Sequence, residues 1–167
     1  MFSIKVDNLH WLDKVKENED LCLHGYATVT IGKEIFEYNA TVSSTALYLL
    51  KSLKKDHLIS ESSNQMLPCC GHFIIPDDTL SSVEIIGCNN GIDWTVRHEN
   101  NNIVLITKDG NKTEIAFDLY QKTVFGFADE IEAFYKNSKE KSFANKFEKD
   151  GYTAFWKEWH QLRGNQY

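Results

Sequence analysis

Three stretches near the start of the chain, FSIKVD, LCLHGYATVTI and EIFEYNATV, alternate apolar and polar residues, the two-residue period of a strand with one buried face. The second and third are joined by Ile31-Gly32-Lys33-Glu34 and predict a β-hairpin. The polar WLDKVKENED, anchored by Trp11, connects the first stretch to them. Ser43-Ser44 then read as the N-cap of TALYLLKSLKKDHL, which sets Ala46, Leu49, Leu50 and Leu53 on one face of a helix near residues 44–56. Residues 58–82 have no regular period. Beyond them SVEIIG, DWTVRHE, NIVLITK and KTEIAFD read as strands separated by CNNG, ENNN and KDGN, turns short enough to make neighbours pair antiparallel. Asn90-Gly91 suits positive φ and predicts a tight hairpin there.

From Leu119 onward the apolar spacing lengthens to the helical period of about 3.6. Tyr120, Val124, Phe127, Ala128, Ile131, Phe134 and Tyr135 form one stripe. A last helix, capped by Asp150 and stopped by Gly164, carries Tyr152, Phe155, Trp156, Trp159 and Leu162 on another. Helices that follow a meander of strands predict an α+β fold: an antiparallel β-sheet whose apolar face seats two C-terminal amphipathic helices. The helix near 44–56 joins them or covers an edge. With 167 residues and no Pro/Gly/Ser linker or internal repeat, the chain reads as a single domain spanning 1–167.

Charge narrows the partners. The formal net charge is −6, and the lysines at 51, 54, 55 and at 139, 141, 146, 149 are interspersed with acids rather than forming a basic block. Such a surface repels phosphate backbones and argues against nucleic acid, while it permits a basic protein partner. MFSIKVDNLH has no apolar signal core, and no apolar run approaches the ~18 residues that span a bilayer. Cysteines without a secretory signal point to thiols in the cytoplasm.

Chemistry concentrates in QMLPCCGH. Cys69 and His72 have the C-x-x-H spacing of half a zinc site, because a turn brings positions i and i+3 onto one ion. Cys22 and His24, two apart on a strand, project from one face and are the natural second half, with Cys88 at a strand end as a spare ligand. Against zinc, no C-x-x-C repeats, and cysteines more often pack as small hydrophobes. A thiol reading puts Cys70 as redox group or nucleophile, with His24, His72 or His98 as base and Asp93 or Asn90 orienting it. A vicinal Cys69–Cys70 disulfide is disfavoured by its strained ring. Asp129, Glu130 and Glu132 leave the apolar stripe and read as a solvated face, Glu132 pairing with Lys136 one turn on. Trp156 and Trp159 read first as packing on the sheet and second as protein-binding anchors rimmed by His160 and Arg163. No phosphate-loop, dinucleotide, metalloprotease, nucleophile-elbow or EF-hand motif is present.

FADEIEAFY, GYTAFWKEW, NQMLPCCGH and GIDW together resemble small bacterial α+β proteins, some of them like immunity partners encoded beside polymorphic toxins. That resemblance implies a cytoplasmic inhibitor of another protein and carries no functional residue with it. The leading expectation is therefore a non-enzymatic protein-binding module without a cofactor. The alternative is a zinc-binding or thiol-dependent enzyme centred on Cys69-Cys70-Gly71-His72.

Overall fold

A computed structural model describes residues 1–12, 16–59, 64–69, 71 and 73–164. The elements run β1 (Phe2–His10), β2 (His24–Ile31), β3 (Glu34–Thr41), α1 (Val42–Ser52), β4 (Phe73–Pro76), β5 (Val83–Ile86), β6 (Thr95–Glu99), β7 (Asn102–Ile106), β8 (Lys112–Ala116), α2 (Phe117–Lys136) and α3 (Lys146–Arg163). The fold is α+β with antiparallel strands and two C-terminal helices, as the periodicity predicts. The strands form three sheets rather than one: β1-β2-β3, β4-β5 and β6-β7-β8.

In the first sheet the alternation sorts the faces row by row. Ile4, Val29 and Phe36 lie in register on the inner face, while Lys5, Thr28 and Glu37 lie in register on the outer one. The two-residue turn between β2 and β3 opens with Gly32 at φ 64°, a conformation that costs glycine least. On β1 a bulge at Asn8, φ 54°, shifts the register so that His10 comes opposite His24.

β3 runs straight into α1, with Thr41 as N-cap in place of the expected serines. Ser43 and Ser44 sit inside the helix, because α1 is not an edge cover. It is the centre of the core, buried from Val42 to Leu50 and packed by the first sheet and by both other helices. Its polar side chains survive burial by bonding outward. Ser43 Oγ accepts from Leu23 N–H at 3.1 Å, Ser52 Oγ lies 2.8 Å from the Tyr120 hydroxyl, and Tyr48 donates to Ile85 C=O at 3.0 Å.

α2 lays Tyr120, Val124, Phe127, Ala128 and Ile131 into the core, and α3 adds Ala154, Phe155 and Trp159. α3 starts four residues ahead of the expected Asp150. Asn145 Oδ1 accepts from Glu148 N–H at 3.0 Å, and the Glu148 carboxylate reaches back to Ala144 N–H at 2.8 Å. This is close to the reciprocal pattern of a capping box, and Asp150 instead pairs with Lys146 within the first turn. Gly164 ends α3 in the left-handed region, as expected. Glu132 departs from its solvated role. It is buried at 6% exposure, 2.6 Å from Lys136 Nζ and 3.1 Å from His160 Nε2, and so ties α2 to α3. Burial pushes its pKa up, but the hydrogen bonds from Lys136 and His160 outweigh this and leave it below the ordinary carboxylate range.

β4 occupies a stretch with no evident period, and its presence reroutes the chain. β5 pairs with β4, Ile74 opposite Ile85, so CNNG crosses between sheets instead of closing a hairpin. Gly91 is needed there for close approach: a Cβ would stand 2.3 Å from Leu67 O. α3 lies so close to β4 that a Cβ on Gly151 would stand 2.2 Å from Ile74 O.

Two helix glycines thus differ in sign. Gly126→Ala, with nothing within 4 Å of the added carbon, is expected to stabilise by up to about 1 kcal/mol. Gly151→Ala is expected to destabilise by roughly 1–3 kcal/mol, because α3 must back away from β4. Urea unfolding of both variants reads the contrast. Glu132→Ala is expected to cost about 1–3 kcal/mol at neutral pH by the same measurement. With a folded pKa below the unfolded one, that contribution is complete above the unfolded carboxylate's titration. It fades as pH falls through the folded value, so wild-type and variant stabilities converge in acid.

Candidate functional site

The Cys-rich stretch lies against the start of α1. Thr41 N–H donates to Pro68 C=O at 2.9 Å, and Gly71 is pressed so tightly under α1 that a Cβ would stand 2.6 Å from Ser44 Oγ. The buried Cys22 thiol donates to Gly71 C=O from a position two residues before β2 rather than from the strand that carries His24. Asp20 organises this corner: its carboxylate accepts from Cys22 N–H at 3.0 Å and Leu12 N–H at 2.9 Å, and lies 3.7 Å from His24 Nε2. The His24 ring centroid is 6.0 Å from that of His10. Beside Asp20, Lys141 Nζ sits 3.1 Å from the centre of the Trp11 ring, and burial lowers its pKa to about 8 against the pull of Asp20 and Glu17.

Two of the proposed ligands are bonded to each other. Cys69 is joined to Cys88 in a disulfide, with Cα atoms 6.6 Å apart. The spare ligand is thus the first ligand's bonded partner, and neither sulfur is the thiolate that zinc takes. Cys70 and His72 lie outside the described residues. Among the described residues no group of three or more His, Cys, Asp or Glu side chains is arranged to hold a metal ion. Three of the helpers proposed for a Cys70 nucleophile hold partners of their own. His98 Nδ1 is 2.9 Å from Asp56, Asp93 is 2.8 Å from His57, and Asn90 C=O accepts from the Tyr38 hydroxyl.

The disulfide belongs to a clamp. The Gln65 side chain donates to Asn89 C=O at 3.0 Å and accepts from Gly91 N–H at 2.6 Å, while Leu67 and Ile92 exchange two backbone hydrogen bonds. Asp93 adds a further tie by accepting from Met66 N–H at 3.1 Å and Trp94 N–H at 3.0 Å.

This clamp holds the base of the β4-β5 ribbon. The tip is fixed by Asp77, whose carboxylate accepts from Ser81 N–H at 2.7 Å and from the Ser81 and Ser82 hydroxyls. These bonds, the Ser81 N–H first, hold its pKa far below the usual carboxylate range. Along the outer edge of β5, Val83 N–H donates to Glu158 at 2.9 Å, Lys51 Nζ donates to Val83 C=O at 2.6 Å, and Tyr48 takes Ile85 C=O. A polar cleft of about 580 Å³ opens beside that edge, lined in part by Lys51, Lys55, Asp77, Glu84 and Glu158.

The ribbon's outward face is apolar at its base. Phe73 and Ile86 stand directly opposite each other and are 61% and 39% exposed. Ile75 and the exposed Glu84 form the next outward pair, followed by the acidic tip Asp77-Asp78. Phe147, one helical turn before Gly151 on α3, is 48% exposed. The aromatic residues singled out from the sequence sit elsewhere. Trp159 is fully buried, and Trp156 is half-buried, its ring 5.0 Å from Tyr135 and stacked 5.6 Å from His160. Trp159 is therefore core rather than a surface anchor. The signal for the ribbon was present in FIIPDDTLSSVEII, two apolar runs around a turn-rich centre.

Comparison of the chain with protein families, with curated proteins and with solved structures finds no match. Among the described residues no helix is long and apolar enough to cross a membrane.

Proposed function

We propose that the chain is a protein-binding module that docks a basic partner against the flat face of the β4-β5 ribbon. The observation that carries this reading is the exposed Phe73–Ile86 cross-strand pair on a ribbon clamped at base and tip. A large apolar pair held in one geometry loses little freedom on binding, the property of an interface anchor. Supporting charge lies around it, in Glu84, Asp77 and Asp78 and in the overall charge of −6. A basic surface with an apolar recess complements that arrangement and would be steered toward it.

An immunity-type inhibitor is the particular form this reading takes. Such an acidic chain, drawn to a basic enzyme such as a nuclease, acts by covering the enzyme's site. A zinc or thiol enzyme centred on Cys69 draws less support, because that sulfur is bonded to Cys88. The same bond removes the premise of four thiols on which a cytoplasmic location was argued.

Capture from the source organism tests the docking reading. Immobilised wild-type chain is expected to retain a basic protein that is released by salt, and Phe73→Asp combined with Ile86→Asp should lose it at least tenfold while the helical circular dichroism is unchanged. Equal capture by the double variant, or a retained protein that is acidic, overturns the ribbon as the docking face.

A further inference from the structure

The ribbon is closed at one end by the Asp77 loop and at the other by the Cys69–Cys88 bond, whose cysteines stand just before Phe73 and just after Ile86. Both cysteines are half-buried rather than sealed in the core. The flanking segments are secured independently: between Cys69 and Phe73, Gly71 is wedged under Ser44 and held by the Cys22 thiol, and beyond Cys88 Gln65 with the Leu67–Ile92 bridge holds the returning loop. Cutting the bond therefore leaves the fold in place. What it removes is the covalent restraint at the open end of a four-residue ladder, next to the exposed apolar pair.

We infer that Cys69–Cys88 is a redox gate on the docking surface. Bonded, it presents Phe73 and Ile86 as one rigid anchor; opened to two thiols, the ribbon frays from its base and the anchor comes apart. This rests on the ribbon being the docking face. The reductant is a dithiol. One of its thiolates attacks one sulfur of the bridge, and the S–S electron pair leaves on the other sulfur, which takes up a proton. The second thiolate of the reagent then attacks the reagent's own sulfur in the mixed disulfide, and the protein sulfur bound to it leaves and takes up a proton. Two electrons move, Cys69 and Cys88 end as thiols, and the reagent ends as a cyclic disulfide. Cys22, buried against Gly71, takes no part.

Amide hydrogen exchange of the full chain, oxidised and after dithiothreitol, tests the gate without any partner. Amides of Phe73–Ile75 and Val83–Ile86 are expected to exchange about tenfold or more faster on reduction, reversibly, with those of β1, β2 and α2 unchanged. The Cys69→Ser, Cys88→Ser double variant should show the reduced pattern and ignore dithiothreitol, while Cys22→Ser should keep the response. Ribbon exchange unchanged by reduction overturns the gate. So does acceleration across every element, which would make the bond a staple of the whole fold. A ribbon that responds to reduction while Phe73→Asp, Ile86→Asp captures as well as wild type leaves the switch intact and removes the docking reading.

Discussion

A helix buried on every side must give its polar groups partners or pay heavily in desolvation, and α1 meets most of that constraint by bonding to the entry of β2, to α2 and to β5. Ser43, Ser52 and Tyr48 are pegs into the rest of the molecule. Ser43 receives Leu23 at the entry to β2, Ser52 meets Tyr120 of α2, Tyr48 reaches β5, and Thr41 holds Pro68. The β1-β2-β3 sheet and the β4-β5 ribbon, which share no strand pairing, are thereby tied to one another through a helix rather than through a common ladder. The two C-terminal helices then close the core over it.

The long periodic signals were legible because burial on one face imprints them directly. The stripes of α2 and α3, the β2-β3 hairpin and the meander from β6 to β8 follow from residue spacing alone. α1 was legible as a helix but not as the centre, since its polar residues look like a solvated face until their partners are known. The start of α3 was encoded as Asn145-x-x-Glu148, a cap with a less familiar first residue. β4 was hidden because FIIP is too short to establish a period, and losing it misassigned the partner of β5.

The chemistry was less legible for a different reason. Pairing of cysteines is a matter of spatial adjacency, which neither spacing nor composition encodes, and Cys69 finds Cys88 only because β4 and β5 run antiparallel. The spacing reads Cys22 as lying on a strand beside His24; it stands two residues before β2, and its thiol meets the Gly71 carbonyl. Glu132 was misjudged because helical projection locates a residue relative to its own helix and not to a second one, and His160 arrives from α3.

The side chains lying along β5 limit how anything can approach it. With Glu158 on Val83 N–H, and Lys51 and Tyr48 on the Val83 and Ile85 carbonyls, an arriving strand meets occupied groups where it would need vacant ones. Sideways extension of this sheet into a fibre, or recognition of a peptide by adding it as a third strand, is thus closed off, and contact is left to the broad side of the ribbon.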